Sequence, residues 1–357
     1  MSLDLEPLNV LIGPNASGKS NLIEAISLIA ATPRDLTAPF RNGGGLFSDW
    51  IWKGGSGGAT AELEVSLEYM GREGRVPLDY KLALQAVNYR PRVRFEALEN
   101  QDESGPHFFL REAHDPENTL KPDQSILSQL RDPLRYPELT FVGDQFRLIA
   151  FFRDWHIGRG SRVRGPQPAD LPNDFLLENA TNLGLVLNSL QNRPAIKKLL
   201  LDKLNLFYEG VEDYQVKVEG GTVQIFLHER GLDTAVPATR ASDGTLHYLA
   251  LLAILCHPEP PPLVCLEEPE LGLHPDILPT VAELLIDAAS RTQLIVTTHS
   301  ETLVSSLSRI PESVVICERT DSGSSLRRLE PKKLQEWLAR YGLGELWSMG
   351  EIGGNRW

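Results

Sequence analysis

Apolar and polar positions alternate along this chain in three different rhythms. Near the start, Val10, Leu11 and Ile12 form a short apolar run, and Leu22, Ile23, Ile26, Ile29 and Ala30 recur at helical spacing. A glycine-containing segment separates the two, so the pattern predicts strand, turn and helix. From Thr60 to Leu98 the runs AELEVSLEYM, LDYKLALQAV and RVRFEAL alternate with period two between turn-forming residues, which predicts an antiparallel meander. The last third predicts helix Asp243 to Cys256, strand Leu263 to Leu266, helix Pro275 to Ala289, strand Gln293 to Thr297 and helix Glu301 to Leu307. That is the rhythm of βαβ units, and all-apolar LVCL and LIVT suit a parallel sheet covered on both faces.

The intervening stretches are less regular. Thr32 to Gly58 carries Gly43, Gly44, Gly45, Gly54, Gly55, Gly57 and Gly58 around Trp50 and Trp52, and reads as a surface loop anchored by tryptophans. Residues 99–139 are polar and proline-containing, a solvent-facing segment with a short helical candidate at Gln124 to Arg131. Phe141 to Trp155 is apolar and runs into RDWHIGRGSRVRG, where Arg153, Arg159, Arg162 and Arg164 gather as a solvated loop or a phosphate contact. Helices over Asn173 to Leu190 and Arg193 to Tyr208 follow, and then VEDYQVKVEGGTVQIFLHE, whose Gly220 and Gly221 mark a hairpin turn.

Composition narrows the function classes. A net charge of −13 over 357 residues argues against a chain that coats nucleic acid, although local patches can override a global sign. The three cysteines, Cys256, Cys265 and Cys317, lack metal-binding spacing and sit in apolar runs, as buried thiols of a reducing compartment would. MSLDLEPLNV has no signal-peptide pattern, and the apolar segment Tyr248 to Cys256 is too short to span a bilayer. The expectation is a cytoplasmic protein without membrane insertion.

Four segments, widely separated in the chain, carry candidate chemistry. In GPNASGKSN, Gly13, Gly18, Lys19 and Ser20 satisfy the pattern GxxxxGK[ST] with the required strand and helix on either side. Phosphates need many donors in a small concave space. In the loop Gly13, Pro14, Asn15, Ala16, Ser17 and Gly18 every residue but the proline brings a backbone N–H, the new helix adds its own through Asn21, Lys19 adds a mobile charge, and the Ser20 hydroxyl suits Mg²⁺. In LVCLEEP, Glu267 and Glu268 end a buried strand, a costly place for two acids unless positive charge is present. Glu267 is the candidate metal ligand and Glu268 the residue that orients or deprotonates water. His299, in IVTTHS, lies at the end of the next strand, where ligand sites of parallel sheets gather. Ser242, Asp243 and Gly244 open a helix whose N-terminal donors suit an anion.

Taken together, GPNASGKSN, SDGTLHYLALL, LEEPELGLHP and TTHS resemble the ATP-binding head of the ABC superfamily, in its non-transporter branch. The resemblance is to RecF-like and OLD-like AAA-family ATPases, kin to the heads of structural-maintenance-of-chromosomes proteins. It implies an α/β P-loop NTPase fold, an ABC-ATPase-like head with an antiparallel β lobe, a mainly parallel core sheet and a helical insertion. Lobes over residues 1–140 and 235–330, an insertion over 141–234 and a helical tail over 331–357 are expected. It implies Ser242 and Gly244 as a signature contacting ATP held by a second subunit, Glu268 as catalytic glutamate and His299 as γ-phosphate sensor. Glu270 to His274 would be the loop communicating between sites, and Gln145 is the candidate for a glutamine near metal or water. Glu267 departs from the aspartate of many relatives. No heptad run is present, so no coiled-coil arm is expected, nor a nuclease domain after His299.

The function so implied is Mg²⁺-dependent ATP hydrolysis by a homodimer that closes on ATP, coupled to a DNA-linked process such as repair or phage defence. The alternatives are an ATP-gated scaffold for a partner nuclease or toxin, and the soluble motor of a membrane transporter. SDGT in place of LSGGQ and EEPE in place of DEPT speak against the motor.

Overall fold

A computed structural model gives the structure of residues 1–51, 53, 60–71, 74–100, 107–112, 120–321 and 323–354. Trp52, Gly54, Gly55, Gly57 and Gly58 of the anticipated anchored loop lie outside the described residues. In chain order the first elements are β1 (Leu8–Ile12), α1 (Lys19–Ala31), α2 (Ala38–Asn42), α3 (Phe47–Trp50), β2 (Thr60–Gly71), β3 (Gly74–Val87), β4 (Arg90–Asn100) and β5 (His107–Glu112). Next come α4 (Ile126–Gln129), α5 (Pro137–Leu148), β6 (Ala150–Phe152), β7 (Gln167–Pro168), α6 (Leu183–Gln191), α7 (Pro194–Phe207), β8 (Val211–Glu219), β9 (Thr222–Glu229) and β10 (Val236–Pro237). The last are α8 (Asp243–Leu255), β11 (Leu263–Glu267), α9 (Leu278–Ala288), β12 (Gln293–Thr297), α10 (Glu301–Ser305), β13 (Val314–Thr320), β14 (Gly323–Arg328), α11 (Pro331–Leu338) and α12 (Leu343–Ser348).

The chain divides into two compact units. The first comprises Met1–Lys19, Ala150–Thr320 and Ser324–Trp357. Its main sheet has the order β14-β13-β1-β12-β11-β6, and β1 pairs in parallel with both β12 and β13. β11 pairs in parallel with β12 and β6, with Glu267 opposite Thr297. All five residues of β1 are buried, as expected of a strand covered on both faces. The anticipated parallel sheet is therefore present, and β13 and β14, which no sequence pattern announced, extend it beyond β1. Helix α8 is buried along its whole length from Thr245 to Leu255, so its apolar residues face protein on every side. A smaller antiparallel sheet is built on the predicted hairpin of β8 and β9, where Gly220 and Gly221 take φ of 58° and 75°. Such a two-residue turn with both φ positive matches the twist of the strands it joins.

The second unit comprises Ser20–Ile149 and Asp321–Gly323. Its sheet runs β2-β3-β4-β5 with antiparallel pairing throughout. Leu78, Tyr80, Leu82 and Leu84 point to one face of β3 and meet Phe40, Phe47, Leu98 and Phe146 in one core. The stretch expected as a plain loop after α1 thus holds α2 and α3, whose Phe40 packs edge-on against Phe47 at 5.1 Å and Trp50 at 4.8 Å.

Three further sequence expectations are corrected. Residues 99–139 are not simply solvent-facing: they contain β5, and Ser125, Ile126, Leu127 and Arg111 are buried. Glu96, fully buried, explains this, because it accepts from the Tyr80 hydroxyl at 2.5 Å, the Ser125 hydroxyl at 2.5 Å and the Ile126 N–H at 2.9 Å. The helix expected from Asn173 begins only at Leu183. The buried Asn182 side chain accepts from Leu177 N–H and donates to the carbonyls of Pro172 and Phe175, which holds the preceding residues as a loop. The third correction concerns Arg164, described below.

Candidate functional site

The glycine loop leaves the C-terminal end of β1 and enters α1. Gly13, Ala16 and Gly18 have φ of 154°, 64° and 108°, and the Ser17 N–H donates to the Pro14 carbonyl at 3.2 Å. A chain bent this way turns successive N–H groups toward one concave side, where an anion fits. Glycine is required twice by close approach as well as by φ: a Cβ at Gly13 would collide with the Cys317 carbonyl, and one at Gly18 with the Ser324 hydroxyl.

Lys19, the first residue of α1, is buried, and its Nζ donates to the carbonyls of Gly13 at 2.6 Å and Pro14 at 3.1 Å. Burial lowers its pKa, while the neighbouring Cys317 and Glu268 act in the opposite direction. The Cys317 thiol is itself pushed up to about 12 by burial, which leaves it inert as a nucleophile. The Ser17 hydroxyl is buried and finds no hydrogen-bond partner among the described residues. A cradle of N–H groups, a lysine folded over it and an unpaired buried hydroxyl fit a phosphate chain. Ser20 and Asn21 follow in the first turn of α1, both exposed.

The acids stand at the tip of β11. Glu267 is its last residue, and the Trp155 indole N–H donates to the Glu267 carbonyl at 2.8 Å. Glu268 has a left-handed φ of 45° and is pinned there by its N–H bond to the Thr297 carbonyl at 2.9 Å. For a residue with a side chain this conformation costs about 1–3 kcal/mol and marks functional positions. His299 follows β12, and its Nε2 lies 3.7 Å from the Glu268 carboxylate. Glu268 and His299 thus follow the adjacent strands β11 and β12, and Lys19, at the start of the helix that follows β1, the next strand over, is near enough to Glu268 to feel its charge.

Ser242 and Gly244 occupy a different position, the N-terminus of α8. The Ser242 hydroxyl caps the helix, accepting from the Thr245 N–H at 3.0 Å. What joins this end of α8 to the acids is the loop after β11, since a Cβ on Gly244 would lie 3.0 Å from the Gly272 carbonyl. One turn further along α8, His247 packs against Trp155 with ring centroids 4.3 Å apart and the ring planes tilted by 35°. Trp155 therefore touches both α8 and the acidic strand, a role with no signal in the sequence beyond its place in an arginine-rich loop.

Arg164 belongs to the same framework. It is buried, donates through Nε to the carbonyls of Ile157 and Gly158 and through Nη1 to Ala241 at 2.7 Å, and pairs with the Asp243 carboxylate. Its guanidinium is thus engaged by the chain itself rather than held out on a solvated loop. Arg159 and Arg162 are exposed.

The family model described as "AAA domain, putative AbiEii toxin, Type IV TA system" matches residues 8–305. No curated protein matches the chain. Among solved structures, the chain is similar to the Smc head bound to the C-winged helix domain of ScpA, with 14% identity, 93% of each chain covered and a TM-score of 0.58. It is similar also to an Smc head domain with an extended coiled coil bound to the C-terminal domain of ScpA derived from Pyrococcus furiosus, with 13% identity, 94% of each chain covered and a TM-score of 0.55. At such identity the likeness is one of fold, and here the longest helix among the described residues is α7 with 14 residues, too short for a coiled-coil arm. With most of its length matched by that family model, the chain belongs to the AAA_21 family of AAA ATPase domains and has the fold of an ABC-type head without a coiled coil.

Proposed function

We propose that this protein hydrolyses ATP, closes as a head-to-head dimer while ATP is bound, and uses the opening and closing to drive a DNA-linked process. The observation that carries the catalytic part is the 3.7 Å approach of His299 to Glu268 beyond two adjacent parallel strands, with Lys19, after the strand next to them, within electrostatic reach of Glu268. Lys19 is released from its own loop carbonyls by a better acceptor, the β and γ phosphates, and the loop N–H groups hold the same chain. Glu268 takes the proton of the attacking water, and His299 beside it contacts the terminal phosphate. By motif, Ser20 and Glu267 are each a candidate Mg²⁺ ligand, and a bound ion would neutralise phosphate charge. Ser242 and Gly244, at a helix N-terminus, present donors to nucleotide held by the other protomer in a two-fold arrangement.

Binding and turnover of the full chain test this reading. Lys19→Ala should weaken ATP binding by about 100-fold or more in calorimetry, the loss of a charged bond of about 3 kcal/mol. Glu268→Gln should keep ATP affinity, lower kcat by about 10²–10⁴ as loss of a general base does, and raise the dimer fraction in ATP. Unchanged turnover in Glu268→Gln sinks the assignment.

A second reading, an ATP-gated scaffold for a partner nuclease or toxin, draws on the toxin in the family description and on the ScpA domains bound to the similar heads. The engagement of Arg164 inside the protein also removes one cation from the DNA-facing set. A stoichiometric protein partner together with salt-independent, negligible DNA affinity would select it.

A further inference from the structure

Glu270 lies two residues beyond Glu268 on the loop leaving β11, while Thr298 and His299 leave the neighbouring strand β12. Its Oε1 accepts from the Thr298 hydroxyl at 2.5 Å and from the His299 N–H at 3.0 Å. The Thr298 hydroxyl, fully buried, accepts in turn from the Ser300 N–H at 3.0 Å, and the Ser300 hydroxyl caps α10 by accepting from the Leu303 N–H. One carboxylate oxygen therefore sets the path of the chain from Thr298 into α10, with His299 in between. The other, Oε2, is buried with no hydrogen-bond partner among the described residues.

An acid held this way is costly to the fold. Burial raises its pKa, and the two donors at Oε1 act against that rise. A residue retained for packing alone would not carry that penalty. Glu268 and Glu270 share one loop, so the bridge from Glu270 to His299 also governs how the Glu268 carboxylate and the His299 ring face each other across 3.7 Å. We propose that Glu270 is a positioning residue: its Oε1 holds the backbone of His299 so that the imidazole meets the water-side carboxylate and the terminal phosphate in register. The proposal rests on the ATPase reading for its kinetic consequence, but its structural half can be read without nucleotide.

The test uses the full chain as wild type, Glu270→Ala and Glu270→Gln. The amide of Gln keeps the acceptor at Oε1 and places its nitrogen where no partner was present. Glu270→Ala should lower kcat for ATP at least about tenfold with KM within about threefold, the pattern of a lost transition-state interaction, whereas Glu270→Gln should retain most of the turnover. In a His299→Ala background, Glu270→Ala should have less than about a twofold further effect, because the two act as a unit. Without nucleotide, the His299 imidazole NMR signals, assigned with His299→Gln, should shift in Glu270→Ala and stay in place in Glu270→Gln. Should Glu270→Ala not fold, Thr298→Val removes one of the two donors and should show the same loss of kcat at constant KM. Wild-type kinetics and wild-type His299 signals in a folded Glu270→Ala protein would overturn the proposal, as would full multiplicativity with His299→Ala or a Gln variant as impaired as the Ala variant. If the wild type showed no turnover, the ATPase reading would fall, and the His299 spectra alone would decide for or against Glu270.

Discussion

Arg164→Ala is the perturbation whose cost the structure specifies best. The Asp243 carboxylate that pairs with it is 67% exposed, so the ion pair itself adds no more than about 1 kcal/mol. The larger part comes from the carbonyls of Ile157, Gly158 and Ala241, which are satisfied by a guanidinium that is itself buried. Bonds to a charged group contribute about 1.5–3 kcal/mol each, but the desolvation of the arginine offsets part of three such bonds. A net loss of about 3 kcal/mol follows for Arg164→Ala. Arg164→Lys, which can reach one or two of the acceptors without the planar fork, should recover about 1 kcal/mol of it. Exposed Arg159 and Arg162, changed to Ala, should each stay within about 0.5 kcal/mol of wild type. Urea unfolding followed by circular dichroism measures all four variants, with the midpoint moving and the slope unchanged. A cost below about 1 kcal/mol for Arg164→Ala, or one equal to that of Arg159→Ala, would refute the claim that this arginine ties its loop to the start of α8.

The remaining predictions concern two buried ionisable groups. Burial lowers the pKa of His247 to about 4 from an ordinary 6.5, so the unfolded chain takes up its proton first as pH falls. Its contribution is fully present above about pH 6.5 and declines between about 6.5 and 4, amounting to a loss of about 2 kcal/mol from pH 7 to pH 5. His247→Phe, which can keep the ring contact with Trp155, should flatten that part of the stability profile in denaturant titrations at the two pH values. His257 titrates in the same direction in both proteins, so an unaltered difference between the profiles would contradict the assignment. In the second unit, Glu96→Ala leaves the buried Arg111 side chain, 3.7 Å away, without its counter-charge and takes from the Tyr80 and Ser125 hydroxyls the carboxylate to which both donate. A cost of about 3–5 kcal/mol should appear in its thermal or chemical unfolding, and a near-neutral variant would show that the network is not fully formed.

Much of the candidate site was legible before any coordinates. The strand, glycine loop and helix around Lys19 are local features, set by backbone chemistry within a dozen residues, and the hairpin at Gly220 and Gly221 is likewise a local twist requirement. The apolar runs of β11 and β12 announced a covered parallel sheet because such strands have no wet face to encode. The acids at the end of β11 and the histidine after β12 could be picked out because each ends a run of that kind.

Other features depend on partners far away in the chain, and no local pattern encodes those. Arg164 looked like a solvated cation because nothing nearby in sequence reveals that three carbonyls and the first acid of α8 surround it. Asn182 stops a helix that its neighbours would have propagated, through bonds to Pro172, Phe175 and Leu177 made only once that loop has folded back. β13 takes its place beside β1 by hydrogen bonding across the sheet, and the bond from Glu270 to His299 spans 29 residues between two strand ends. Residue type and spacing specify which chemistry is available. Adjacency of strands, burial and the pairing of distant polar groups decide which side chains act together, because those are properties of the packed sheet rather than of any one segment.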